Sequence, residues 1–93
     1  MRRAARRDEN HAEVVAEFRR LGASVIDLGG VGGGCPDLAI GIARQTALVE
    51  VKRDAKARYT PDQLDFLTWW CGSTPFRVET LEHVALVVEA MKR

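Results

Sequence analysis

Apolar and polar residues alternate in two neighbouring segments of the chain, and this alternation predicts a β-hairpin. In residues 37–42 every second side chain is a large aliphatic one, as expected of a strand with one buried face. Residues 47–52 are mostly apolar and end in two charged residues, which predicts a second strand. The polar residues 43–46 between them predict a turn. Asp37 is therefore expected to lie alongside the end of the second strand.

Apolar positions three and four residues apart predict three helices elsewhere in the chain. The first covers residues 9–21, the second starts at Thr60 and Pro61 and stops at Gly72, and the third follows Thr80. The predicted buried residues are Val14, Val15, Phe18 and Leu21 in the first helix, Leu64, Leu67, Trp70 and Cys71 in the second, and Leu81, Val84, Val88 and Met91 in the third.

Two further short strands, at residues 23–28 and 76–79, complete the predicted order α-β-β-β-α-β-α. This order predicts an α/β fold in which helices cover a small mixed sheet. The length of 93 residues and the hydrophobic fraction of 46% indicate one globular domain, expected over residues 8–93 after a basic arm at residues 1–7. No apolar run approaches the ~20 residues that span a bilayer, so we expect no membrane partner and a cytoplasmic location.

Positive charge is concentrated in two places, although the net charge is only +1. One cluster lies in the N-terminal arm and includes Arg6 and Arg7. The other follows the second hairpin strand and includes Arg53, Lys56 and Arg58. The simplest interpretation of such clusters is a solvated surface, and the alternative is contact with nucleic-acid phosphates. The second cluster favours DNA binding more strongly, because it borders candidate catalytic carboxylates.

A glycine-rich loop at residues 29–34 precedes the hairpin. It is not a Walker A loop, since no Gly-Lys-Ser/Thr sequence closes it and it leads into a strand. Gly33 and Gly34 allow close approach of a DNA backbone, because unobstructed amides can face a phosphate. A plain connection between strands is the competing interpretation.

Candidate chemistry is concentrated at the ends of the hairpin strands. Glu50 and Lys52 lie two apart on one strand and so share a face, and the hairpin brings Asp37 to the same end. Two carboxylates and an ammonium are sufficient to hold a hard divalent cation and a phosphate. A surface ion pair between Glu50 and Lys52 is the alternative, but such pairs contribute only ~0–1 kcal/mol and do not explain charges at the end of a buried strand.

Two further side chains are candidates on weaker grounds. Glu13 lies beside the apolar stripe of the first helix and can lean over the sheet rim, or it is simply an exposed helical glutamate. Gln63 completes a capping box with Thr60, and it can equally turn toward the site from the first turn of its helix. The spacing alone does not choose between these two roles.

Four segments together resemble the virus-type replication–repair nuclease (VRR-NUC) domains, small stand-alone members of the PD-(D/E)xK nuclease superfamily found in phages and prophages. The segments are Asp8-Glu9-Asn10-His11-Ala12-Glu13, Val31-Gly32-Gly33-Gly34-Cys35-Pro36-Asp37, Leu48-Val49-Glu50-Val51-Lys52, and Thr60-Pro61-Asp62-Gln63 followed by Trp70. The resemblance implies a restriction-endonuclease-like αβββαβ(α) core and a location in a bacterial cell or a phage-infected host.

The resemblance further implies a metal-dependent endonuclease that hydrolyses DNA phosphodiester bonds, with a preference in some members for branched or four-way junction DNA. Asp37 and Glu50, with the Val51 carbonyl, would ligate Mg²⁺ or Mn²⁺. Lys52 would orient or activate the attacking water, while Glu13 and Gln63 would support the site. A homodimer is expected. The alternative is a non-catalytic DNA-binding or assembly module that keeps the nuclease fold.

Overall fold

The computed structural model describes residues 9–93 and contains a mixed four-stranded sheet flanked by helices. The predicted α/β class and the predicted order of elements are confirmed, while the predicted basic arm at residues 1–7 lies outside the described part. In chain order, the elements are α1 His11–Arg20, β1 Ser24–Asp27, β2 Leu38–Ile42, β3 Gln45–Val51, α2 Pro61–Trp69, β4 Phe76–Val78 and α3 Leu81–Lys92.

The strands lie side by side in the order β1-β2-β3-β4. The first three are antiparallel neighbours, and β4 joins β3 in parallel. Helices α1 and α3 pack against each other and against the sheet. The fully buried side chains between them and the sheet include Phe18, Leu38, Val49 and Val84. Side chains that point the other way from β3, such as Glu50, face the side on which α2 begins.

The turn between β2 and β3 is shorter than predicted. Ile42 pairs directly with Gln45, so only Ala43 and Arg44 connect the strands. Both have positive φ, 53° and 62°, which is the geometry of the two-residue turns that match the twist of a hairpin. The polar composition of residues 43–46 predicted a longer turn. The two-residue turn is not evident from the sequence, because neither Ala43 nor Arg44 is the Gly or Asn that usually occupies such a turn. Strand β3 consequently begins two residues earlier than expected.

The predicted buried stripe of α2 is wrong. Phe66 is the buried residue, whereas Leu64 is 51% exposed and Cys71 lies beyond the helix. The helix ends at Trp69, and Trp70 has extended backbone angles, so helical spacing does not apply to it. Both tryptophans are exposed and pack on the Phe66 ring, with centroid distances of 5.0 Å and 5.2 Å. Counting helical positions through residue 71 therefore misplaced Trp70 and Cys71. Of the residues predicted as buried within the helix, Leu67 is partly buried and Leu64 is exposed.

The inner face of α3 also differs from the prediction at one position. Leu81 is 44% exposed, and Val87 is buried in its place, while Val84, Val88 and Met91 are buried as predicted. None of the helices in residues 9–93 combines the length and apolar character needed to cross a bilayer.

Candidate functional site

The hairpin register places Asp37 beside Glu50. Leu38 pairs with Val49, so the residue before Leu38 lies next to the residue after Val49 on the opposite face of the sheet. The backbone amide of Val51 donates a 2.8 Å hydrogen bond to Oδ2 of Asp37. This bond holds the Asp37 carboxylate against the end of β3. The predicted approach of Asp37 to the Glu50 end of the hairpin is thus observed.

Glu50 and Lys52 share the same face of β3, as their spacing predicts. The Lys52 Nζ atom lies 3.7 Å from Oε2 of Glu50. Both residues are buried, with exposed fractions of 5% for Glu50 and 7% for Lys52. Charges that are this deeply buried are uncommon unless they are paired or serve a function. The pair is therefore distinct from the exposed ion pairs on the outer surface.

The surroundings of Glu50 in the folded protein disfavour its charged form. Burial, and after it the neighbouring Asp37 carboxylate, raise the pKa of Glu50 to about 8, although the Lys52 ammonium acts in the opposite direction. A carboxyl whose charged form is disfavoured in this way binds either a proton or a cation. The cluster thus has the electrostatic character of a cation site.

Gln63 performs both of the roles that the sequence left open. Its Oε1 accepts hydrogen bonds from the Thr60 amide at 2.9 Å and from the Lys52 ammonium at 2.8 Å. Its Nε2 donates a 2.9 Å bond to Oε2 of Glu50. The Thr60 hydroxyl in turn accepts a hydrogen bond from the backbone amide of Gln63, which completes the capping box. The side-chain amide of Gln63 therefore both helps to cap α2 and joins Glu50 to Lys52.

Lys52 is held by further contacts that sequence reasoning missed. Its Nζ donates to the Arg58 carbonyl at 3.1 Å and lies 5.4 Å from the centre of the Tyr59 ring. Its own carbonyl accepts a 3.1 Å bond from the Asn10 side chain, which also binds the Glu79 carbonyl. The only sequence signal was that Asn10 favours a helix start. It occupies the cap position but makes no capping bond, and uses its amide across the fold.

Glu13 is not brought to this cluster by any described contact. It lies exposed in the first turn of α1, and among the contacts of residues 9–93 none joins it to Asp37, Glu50 or Lys52. Its predicted role in holding metal-bound water stays a prediction.

The glycine loop packs on the start of α2. Gly34 has a φ of +79°, and a Cβ there would overlap the Asp62 carbonyl, so only glycine fits. Gly33 also has positive φ, but open space surrounds it. Gly34 thus brings the chain's own backbone close to the first turn of α2 that carries Gln63. The predicted approach of DNA to both glycines remains a prediction.

The candidate DNA-binding cations lie near the site where the structure describes them. Arg53, Lys56 and Arg58 are exposed in the connection that follows β3. Arg53 forms an ion pair of 3.5 Å with Asp54. Arg6 and Arg7 lie outside the described residues, so the contribution predicted for them is not addressed by the structure.

The donor set fits a divalent cation of the magnesium type. Such ions keep several waters and need only one or two protein carboxylates, which Asp37 and Glu50 provide. Within residues 9–93, no group of three or more His, Cys, Asp or Glu side chains is arranged to hold a metal.

The fold and the site together define the class: a small α/β domain with buried acidic and basic residues converging at the end of a hairpin, as in nuclease domains. The family model of the VRR-NUC domain matches residues 2–85, so the chain belongs to the VRR-NUC family. Comparisons with curated proteins and with solved structures returned no significant match. Membership in this family implies a nuclease-type function with DNA as the substrate.

Proposed function

We propose that the protein is a Mg²⁺- or Mn²⁺-dependent endonuclease that hydrolyses DNA phosphodiester bonds. The observation that carries the proposal is the convergence of Asp37, Glu50 and Lys52 at the buried end of one hairpin. This Asp, Glu-x-Lys pattern corresponds to the PD-(D/E)xK arrangement that the sequence resembles. A site used only for binding DNA would gain nothing from two carboxylates facing phosphates.

Asp37 and Glu50, with the Val51 carbonyl, would hold the cation. The cation would supply a water of lowered pKa and neutralise charge on the phosphate. Lys52 lies 3.7 Å from Glu50, where its ammonium can orient the attacking water or stabilise the developing negative charge. Gln63 fixes the Lys52 and Glu50 side chains relative to each other through its two hydrogen bonds. In this proposal Glu13 binds water molecules of the cation.

The exposed cations Arg53, Lys56 and Arg58 would contact the DNA backbone beside the site, together with Gly33 and Gly34 of the loop and Arg6 and Arg7 of the N-terminal arm. We further infer branched DNA, such as a four-way junction, as the substrate and a homodimer as the active form. A symmetric dimer would present two sites to two symmetric strands. A cytoplasmic location in a bacterial cell or a phage-infected host completes the proposal.

The proposal is tested by incubating the protein with supercoiled plasmid and with a four-way junction, in Mn²⁺, in Mg²⁺ and in EDTA. We expect nicking that requires the metal. Asp37→Asn, Glu50→Gln and Lys52→Ala should each lower the cleavage rate by about 10²-fold or more, because each removes a group that acts on the transition state. The control is Asp62→Asn, which changes an exposed aspartate that also follows a proline, outside the cluster.

Full activity in the folded Asp37, Glu50 and Lys52 variants would refute the assignment of the site. Retarded migration of DNA in a gel, with no cleavage in any metal, would support the non-catalytic binding module instead. Cleavage of plasmid but not of the junction would refute only the inferred substrate.

A further inference from the structure

Arg77 lies on the same face of the sheet as the candidate catalytic residues. It is the middle residue of β4 and pairs directly with Glu50 across the parallel ladder. Its neighbours Phe76 and Val78 pack into the core on the other face. The Arg77 side chain is only 22% exposed. A largely buried arginine beside the site therefore has a partner inside the protein rather than in solvent.

The guanidinium of Arg77 binds the backbone of the segment that connects β3 to α2. Its Nη2 donates to the carbonyls of Asp54 at 3.1 Å and Ala57 at 2.6 Å. Its Nε donates to the Glu79 carboxylate at 2.6 Å, which fixes the plane of the group. Two hydrogen bonds from one planar fork thus tie residues 54–57 to β4, and the third holds the guanidinium against Glu79. These bonds use three of the five N–H donors of the group.

The same connecting segment supplies two of the contacts that hold the Lys52 ammonium. The Tyr59 ring lies between two cations, 5.2 Å from the Arg77 guanidinium and 5.4 Å from Lys52 Nζ. The Arg58 carbonyl accepts a hydrogen bond from Lys52 Nζ. The position of the ammonium therefore depends on how residues 54–59 are folded, and Arg77 ties two carbonyls of that segment to the sheet.

We propose that Arg77 is a positioning residue for the cleavage reaction: it fastens the β3–α2 connection over the site and thereby sets the geometry of Lys52. This role rests on the proposed nuclease function. Arg77 acts through Tyr59 and the backbone of the connection, and it touches neither the phosphate nor the cation. The exposed residues Arg53, Lys56 and Arg58 of the same segment contact the DNA.

The first test measures cleavage in single-turnover experiments, with DNA affinity measured separately in Ca²⁺. We expect Arg77→Ala and Arg77→Lys to lower the rate at saturating DNA by about 10- to 100-fold, because small displacements of a reacting group are costly. DNA affinity should fall much less than the rate, because Arg53, Lys56 and Arg58 keep their charges when the segment is released. Lysine keeps the charge but not the planar fork, so it should not restore the rate. The control is Arg20→Ala, which removes an exposed arginine paired at 2.6 Å with Glu17.

The second test needs neither DNA nor metal. Trypsin cleaves after arginine and lysine, and the connection contains Arg53, Lys56 and Arg58. Release of the segment should speed cleavage at these three positions in both Arg77 variants, without changing the free energy of unfolding enough to account for it. Should Arg77→Ala fail to fold, Arg77→Lys carries both tests, because it keeps the aliphatic stem and the charge.

The outcomes separate this proposal from the proposed function. An inactive wild-type protein would refute the nuclease assignment. An active wild type with unchanged rate and unchanged trypsin cleavage in the variants would refute only the positioning role of Arg77. Loss of DNA affinity at an unchanged saturated rate would make Arg77 a phosphate contact, and would also refute the positioning role.

Discussion

Glu50 lies 3.7 Å from a lysine and nevertheless has a raised pKa, because burial and the Asp37 carboxylate outweigh the attraction of Lys52. At the scale of single residues, the site is thus held in a state that favours binding of positive charge. Gln63 contributes by donating to Glu50 and accepting from Lys52 with the same amide group.

The raised pKa of Glu50 predicts a dependence of stability on pH. Between the ordinary carboxyl value of 4.5 and about 8, the folded protein binds more protons at Glu50 than the unfolded chain does. The free energy of unfolding in EDTA should therefore decrease as pH rises through this range. In the proposed site a cation would take the place of the proton, so Mg²⁺ should stabilise the protein more at the upper end of the range than at the lower end.

Urea unfolding at several pH values, with EDTA and with Mg²⁺, measures this effect. Glu50→Gln serves as the control, because it has no titrating carboxyl and should lose both the pH slope and most of the stabilisation by Mg²⁺. Equal slopes in the wild type and in Glu50→Gln would show that Glu50 does not titrate in this range.

Two element ends meet at the site, the C-terminal end of β3 and the first turn of α2. The capping box at Thr60 and Gln63 fixes where α2 starts. The glycine loop sets the position of this first turn within the fold, since Gly34 packs directly against the Asp62 backbone. The position of Gln63 therefore depends on a backbone contact between two segments that are separated in sequence.

Paired alanine substitutions in the loop test this dependence. Gly33→Ala places a side chain at positive φ in open space, and should cost ~1–2 kcal/mol of unfolding free energy from backbone strain. Gly34→Ala carries the same strain and also overlaps Asp62, so its cost should be larger. Urea denaturation of both variants gives the comparison. An equal loss of unfolding free energy in the two variants would mean that the loop shifts to relieve the overlap with Asp62 and does not position α2.

Exposed apolar side chains on the whole molecule favour self-association. Trp69 is 61% exposed beside the partly exposed Trp70, and this end of α2 carries no basic residue in its last turn. An exposed aromatic pair beside a helix turn that carries no basic residue suits a second protein copy better than a phosphate backbone. A domain of this size also buries a modest share of its surface alone, so pairing would add stability.

Sedimentation over a range of concentrations tests the homodimer and its face. We expect the wild type to dimerise and Trp69→Ser to shift the equilibrium strongly to the monomer. Leu86→Ser is the matched control, because Leu86 is equally exposed at 61% but lies on α3. Dissociation by Leu86→Ser alone would place the interface on α3, and a monomeric wild type would remove the dimer from the proposal.

Local rules account for the part of the site that lies on the hairpin. Alternation predicted the faces of β2 and β3, and a hairpin has one register that buries Leu38 against Val49, so Asp37 had to approach Glu50. The capping box was predictable for the same reason, because its partners are three residues apart. The predicted burial of Trp70 and Cys71 failed because the chain leaves α2 at Trp70, which periodicity cannot detect.

The amino-acid sequence by itself determined the order of the elements, the hairpin and the grouping of Asp37, Glu50 and Lys52, since these follow from interactions between near neighbours. Only the tertiary structure decided what holds Lys52. Asn10 reaches its carbonyl from 42 residues away, and Arg77 ties down the Asp54 carbonyl from 23 residues away. Such contacts depend on how the start of α1 and strand β4 come together at the end of β3, and local sequence patterns do not predict that arrangement.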